Sequence, residues 1–150
     1  MDRGIIGRFG EDVACEYLAN SGNKIIDRNF KTKFGEIDVV SISSDKTLLF
    51  VEVKTIDARK MSQKINEKSY PHLSGNAGNL MAKNYTVAGD YIKPEDEMSY
   101  SKRAKFQKIA EWYANKHGGL SLENGYQLDM IAVEIKDNSI DLRHYKNIHD

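Results

Sequence analysis

Apolar residues recur at four-residue steps near the start of the chain. Ile5, Phe9, Val13 and Tyr17 form the stripe, and Ile6, Ala14 and Leu18 widen it. This spacing predicts an amphipathic helix over 5–20. Asn20-Ser21-Gly22-Asn23 should end it, since Gly and Asn suit a left-handed C-cap. The period then falls to two. Residues 24–30 predict a short strand, 31–34 a polar turn, and 36–42 a β-branched strand. After a turn at 43–45, residues 47–54 (TLLFVEVK) carry the strongest strand signal in the chain. Residues 56–97 break the pattern with Ser, Asn and Gly clusters and both prolines, Pro71 and Pro94. A short helix over 58–68 is compatible with them. The rest reads as a partly ordered insertion, since long loops in compact domains are usually functional or disordered. A second helix is predicted over 98–117, with an apolar face of Tyr100, Ala104, Ile109, Ala110, Trp112 and Tyr113. Residues 126–136 alternate as a strand, Asp137-Asn138 turns the chain, and 140–145 form a last strand. The order is helix, three strands, insertion, helix, two strands. It predicts one α/β domain over 1–150 with a small mixed sheet flanked by helices.

Composition narrows the function classes. The chain has 150 residues, of which 40% are hydrophobic and 29% charged, so it is too apolar for wholesale disorder. Lys plus Arg number 22 and Asp plus Glu 22, for a net charge of zero. A protein that coats nucleic acid by bulk charge is excluded, but a local basic groove is not. One cysteine, Cys15, rules out an internal disulfide and a Cys-rich zinc site; it should be a thiol at the edge of the core. No run approaches the roughly 18 apolar residues of a membrane span, and the first residues lack a signal-peptide core. A cytoplasmic protein away from membranes is expected. His72, His117, His144 and His149 lack metal-ligand spacing and should lie on the surface. Trp112 and Tyr113 should lie in the core.

The residues that carry chemistry are Asp38, Glu52 and Lys54. Glu52 and Lys54 are two apart on a strand and share a face. A hairpin centred on Asp45 puts Val40 opposite Phe50 and Asp38 opposite Glu52, roughly 5 Å apart. Two such carboxylates repel each other, and beside a strand as apolar as Leu48–Val51 they need a partner. A divalent cation is the natural one, because Mg²⁺ is commonly held by one or two carboxylates plus phosphate oxygens and waters. A neighbouring lysine orients water and stabilises charge on phosphorus. By spacing alone, an acid and a lysine two apart usually form a solvated strand face. A register shift of one residue would also turn Asp38 away.

The run GEIDVV (35–40) followed by LLFVEVKT (48–55) resembles the YraN-like, endonuclease-like family of the PD-(D/E)XK nuclease superfamily. Gly7, Gly10-Glu11, Ala14, Tyr17-Leu18, Gly22 and Arg28-Asn29-Phe30 also resemble that family, as do Lys102, Ala110 and residues 128–133. The resemblance covers 4–55 and about 94–136. It departs from the family pattern at 56–97, where a short basic loop is usual. It implies a restriction-endonuclease-like fold and metal-dependent hydrolysis of DNA phosphodiesters, on structured or branched DNA. Asp38 and Glu52 match the metal-binding carboxylates, and Lys54 the catalytic lysine. Glu11 matches an acid that completes the metal shell in resolvase-like members; it also reads as a surface helix glutamate. Glu36 would sit at the edge of the site, opposite Lys54. Mg²⁺ or Mn²⁺ is the implied cofactor, with no organic one. Resolvase-like enzymes are often homodimers, since two strands need two cuts.

Basic residues cluster twice after the Glu-x-Lys strand. One cluster is Lys54, Arg59, Lys60, Lys64 and Lys68; the other is Lys102, Arg103, Lys105 and Lys108. They suit phosphate contacts that add salt-dependent affinity, and they also suit solvated helix charge. No base-reading motif is present, so backbone and shape recognition is expected. The rival reading is a DNA-binding or DNA-processing accessory module with the same fold and little activity alone. A third is a nuclease-fold interaction protein that docks a partner through 56–97.

Overall fold

The computed structural model of the chain describes residues 3–59, 100–117 and 125–148. The insertion at 56–97, the short helix within it, His72 and His149 lie outside them, apart from residues 56–59. The described residues form α1 (Arg3–Asn20), β1 (Lys24–Thr32), β2 (Gly35–Ile42), β3 (Leu48–Asp57), α2 (Tyr100–Lys116), β4 (Tyr126–Ile135) and β5 (Ile140–Tyr145). The strands make one sheet in the order β1-β2-β3-β4-β5. All neighbours run antiparallel except β3 and β4, which are parallel. A parallel pair needs a crossover between its strands, and α2 lies in that connection. The result is the mixed sheet flanked by helices that the sequence predicts, compatible with a restriction-endonuclease-like fold.

The sheet is apolar on both faces because a helix covers each. Val13, Ala14 and Leu18 of α1 bury against Val39, Leu49, Val51, Ile131 and Val133. Phe106, Ile109, Ala110 and Tyr113 of α2 bury against Ile37, Val40, Phe50, Leu128 and Met130. Each large buried side chain contributes roughly 1.5–3 kcal/mol. β3 therefore alternates between two cores over its first four residues and emerges only at Glu52. It runs on through Asp57, further than predicted, because β4 pairs with it along its whole length.

The predicted end of α1 is observed. Gly22 adopts φ 87°, Asn23 N–H donates to Leu18 O and Gly22 N–H to Ala19 O, each at 3.0 Å. This is the double bond of a Schellman cap.

Other expectations fail for identifiable reasons. Tyr100 is 86% exposed and Trp112 43% exposed. The α2 face is carried by Phe106 with Ile109, Tyr113 and Ala114, a cleaner helical spacing that places Trp112 on the flank against Phe30 and Lys116. Ile5 is also exposed. His144 is not a surface residue. Its Nε2 lies 2.7 Å from the fully buried carboxylate of Asp129, and Tyr17 reaches its Nδ1 at 3.3 Å. Gln127 and the Asn147 N–H donate to the same carboxylate, so this buried acid is satisfied on every side. His117 is half-buried and stacks on Tyr113 at 4.2 Å. Cys15 packs at the edge of the α1 core, as expected.

One contact fixes how α1 meets the sheet. A Cβ on Gly10 would fall 1.8 Å from Thr55 Oγ1 and 2.9 Å from Thr55 Cβ. Only glycine lets the helix lie directly on β3. Gly10→Ala should therefore lower stability by about 1–3 kcal/mol, although alanine is the better helix former by about 1 kcal/mol. Thr55→Ala in the same chain should restore part of the loss. Urea unfolding measures both, and an unchanged midpoint for Gly10→Ala would show that the helix does not rest on Thr55.

Candidate active site

The site begins where two strands part. β2 and β3 pair from Ile42↔Leu48 to Val39↔Val51, the predicted register, and the ladder stops there. One step further Asp38 would face Glu52. Instead the Asp38 carboxylate enters the gap, and its Oδ2 accepts the Val53 N–H at 2.7 Å. A side chain thus takes the place of a strand carbonyl, the local competition that short acidic residues permit. The alternation of β2 breaks at the same point: Ile37 and Val40, three apart, lie in one core. Opposite Asp38, Asn29 of β1 holds φ 53°. β1 and β2 are therefore both irregular at the level of Asp38.

Burial raises the Asp38 carboxyl from 3.8 to about 7, and the neighbouring carboxylates Glu52, Glu11 and Glu36 push the same way against the Val53 hydrogen bond. Glu52 is largely covered, at 13% side-chain exposure. Its Oε1 takes two ammonium groups, Lys102 at 2.9 Å and Lys54 at 3.4 Å. Lys102 reaches it from the first turn of α2; burial lowers its pKa, but hydrogen bonding with Lys54 and Glu52 and the charges of Glu52 and Asp38 outweigh this and raise it.

Asp38 opens onto a cleft of about 390 Å³ between the start of α1 and the emerging end of β3, lined also by Arg3, Glu11, Lys54, Thr55 and Asp57. Glu11 is placed there by the Gly10–Thr55 contact in the preceding residue. Its carboxylate accepts from the Asn29 amide at 2.8 Å and lies 3.7 Å from Arg28. Asp57 is almost covered, but Arg59 binds both its oxygens at 2.8 and 3.1 Å.

The structure thus brings Asp38, Lys54 and Glu11 to one cleft and joins Glu52 to them through Lys54. Among the described residues no three His, Cys, Asp or Glu side chains converge as a ready-made metal donor set. Glu36 does not face Lys54; it is exposed and pairs with Lys31 at 3.3 Å. Of the basic residues at the start of α2, Lys102 enters the site, Arg103 is half-buried and Lys105 is exposed. Two contributors were not legible as such. Asn29 gave no sign of its positive φ beyond being an asparagine, a residue that tolerates it. Thr55 showed its role only once Gly10 lay on it.

Residues 10–133 match the model of the family described as Uncharacterised protein family UPF0102. The chain belongs to this family. UPF0102 is a PD-(D/E)XK nuclease-like family, in agreement with the resemblance of the GEID and VEVK runs. A UPF0102 protein of Persephonella marina is 31% identical over 146 residues, covering 97% of this chain and 94% of the relative. That of Alkaliphilus oremlandii is 27% identical and covers 95% of each. A Campylobacter concisus member is 41% identical over 81 residues, 53% of this chain and 72% of the relative. Among solved structures, that of Pyrococcus furiosus SfsA in complex with Ca²⁺ aligns with 97% of this chain and 64% of that chain at 14% identity and a TM-score of 0.35, too slight a likeness to bear on function. No helix of the described UPF0102 residues is long and apolar enough to cross a membrane.

The raised Asp38 pKa has a consequence for stability. The folded chain binds this proton more tightly than the unfolded one. Its contribution is therefore fully present below about pH 4, is lost as pH rises, and is gone above about 7. In metal-free buffer Asp38→Asn should be more stable than the native chain at pH 8, by a few kcal/mol on the order of magnitude. The gap should close as pH falls to 4. Denaturant melts across this range measure it, and a gap that does not change with pH would overturn the buried-acid account.

Proposed function

We propose that this UPF0102 protein is a metal-dependent endonuclease-like hydrolase of DNA phosphodiester bonds, acting on structured or branched DNA. The observation that carries the reading is the Asp38 carboxylate. It is half-buried in the gap between β2 and β3, close to Glu52 and Glu11, and accepts the Val53 N–H. Among the described residues other covered acids have close side-chain partners, Asp129 in His144 and Asp57 in Arg59. Asp38 instead opens onto a cleft that Lys54 also lines.

The donors present fit a hard divalent cation. Asp38 and Glu52 offer two carboxylates, and Mg²⁺ commonly takes its remaining ligands from waters and substrate phosphate. Mg²⁺ or Mn²⁺ held there would supply Lewis-acid activation of a phosphoryl oxygen and of water. The rest is work for side chains. Lys54 points from β3 into the cleft, where its ammonium stabilises charge developing on the phosphoryl oxygens and orients the attacking water. Glu11, fixed by Asn29, keeps the α1 wall of the cleft acidic and is the candidate for a further ligand through water. Lys102, Arg103 and Lys105 line one helix start and suit contacts to the DNA backbone, which position without reading sequence.

Cleavage of labelled duplex, single-stranded, flapped, forked and four-way-junction DNA in Mg²⁺, Mn²⁺ or EDTA tests this. Native protein should cut in metal and not in EDTA. Asp38→Asn, Glu52→Ala and Lys54→Ala should each lower the rate by about 100-fold or more, the scale of losing a group that stabilises transition-state charge. Intact folding and DNA binding with no cutting of any substrate would favour the accessory reading instead.

A further inference from the structure

Two lysines on one carboxylate oxygen are more than Glu52 needs. We propose that Lys102 is a built-in competitor for the divalent cation. Its ammonium holds Glu52 in the metal-free protein and withdraws when metal binds, and so becomes available to a DNA phosphate at the mouth of the cleft. This rests on the reading of Asp38 and Glu52 as metal ligands.

The geometry separates the two lysines. Lys54 lies two residues from Glu52 on the same strand and face, so the strand itself keeps them together. Lys102 comes from another element, the first turn of α2, and yet makes the shorter contact, 2.9 against 3.4 Å. Its side chain is 40% exposed while that of Glu52 is 13% exposed. The acid is fixed and covered; the lysine reaches in from the solvent edge on a flexible stem that can swing back out.

Charge counting gives the direction. Glu52, with one negative charge, already faces two ammonium groups, Lys54 and Lys102. A dication on the same carboxylate would sit against both of them, and that repulsion falls when one ammonium withdraws or a phosphate arrives. The more loosely tethered ammonium is Lys102. Metal and Lys102 therefore exclude each other at Glu52, and such antagonism is reciprocal. DNA that takes up the released ammonium would strengthen metal binding in turn.

Calorimetric titration of Mn²⁺ alone into the full chain, without DNA, tests this. Lys102→Met should bind Mn²⁺ about tenfold more tightly than native protein, within the usual range of coupling between two binding events. Lys102→Arg, which keeps a cation there, should bind as the native chain does. Lys102→Gln keeps a stem and a donor without the charge and serves if the Met variant does not fold. Native binding that Glu52→Gln abolishes and Lys102→Met or Lys102→Gln leaves unchanged or weaker would overturn the competitor and leave the metal site standing. Absence of Mn²⁺ binding by both the native chain and the Lys102 variants would overturn the metal reading, and this inference with it.

Discussion

The hydrogen bond from Val53 N–H to Asp38 is the constraint on which the site depends. Had β2 continued its ladder, the Val53 N–H would have met a strand carbonyl and the sheet would have closed. Because a carboxylate takes that donor, the strands part, a cleft opens, and a half-buried acid lies in it. Lys54 then emerges beside the gap. The same bond explains the electrostatics. One N–H is too little to offset burial and neighbouring negative charge, so the carboxyl of Asp38 holds its proton to about pH 7.

The surrounding packing makes this arrangement affordable. β3 is covered by α1 on one face and α2 on the other up to Val51. Its first half is anchored by apolar burial, and its second half can carry charge without loosening the sheet. The two helices then bring ionisable groups to the emerging strand, Arg3 and Glu11 from α1 and Lys102 from α2. On the far side of β4, Asp129 shows the contrasting solution, a buried acid closed by His144, Gln127 and a backbone N–H. A carboxylate so enclosed has little capacity left for a ligand.

Much of this was legible along the chain, because the strands are short and strongly patterned. TLLFVEVK announces a strand buried on both faces, and the turn at Asp45 sets the hairpin register that the ladder shows. What escaped was lateral. Trp112 looked like core, but Phe106, flanked by Lys105 and Gln107, fills that place. His144 had no local partner; Asp129 and Tyr17 come to it from β4 and α1. Lys102 was legible as one basic residue among several, while its contact with Glu52 depends on where the connection after β3 sets α2 down. Local pattern reports which face a residue takes. It does not report which distant residue will share that face.

The Gly10–Thr55 contact sets the first helix against the strand by shape rather than by charge. Ionic strength acts on the contacts of the two helices with β3 unequally for that reason. Salt screens the ion pairs that draw Lys102 across from α2. It leaves the steric seat of α1 untouched, and with it the position of the backbone that carries Glu11. One helix is thus seated on the strand by shape, and the other reaches it through a charge whose grip follows the solution around it.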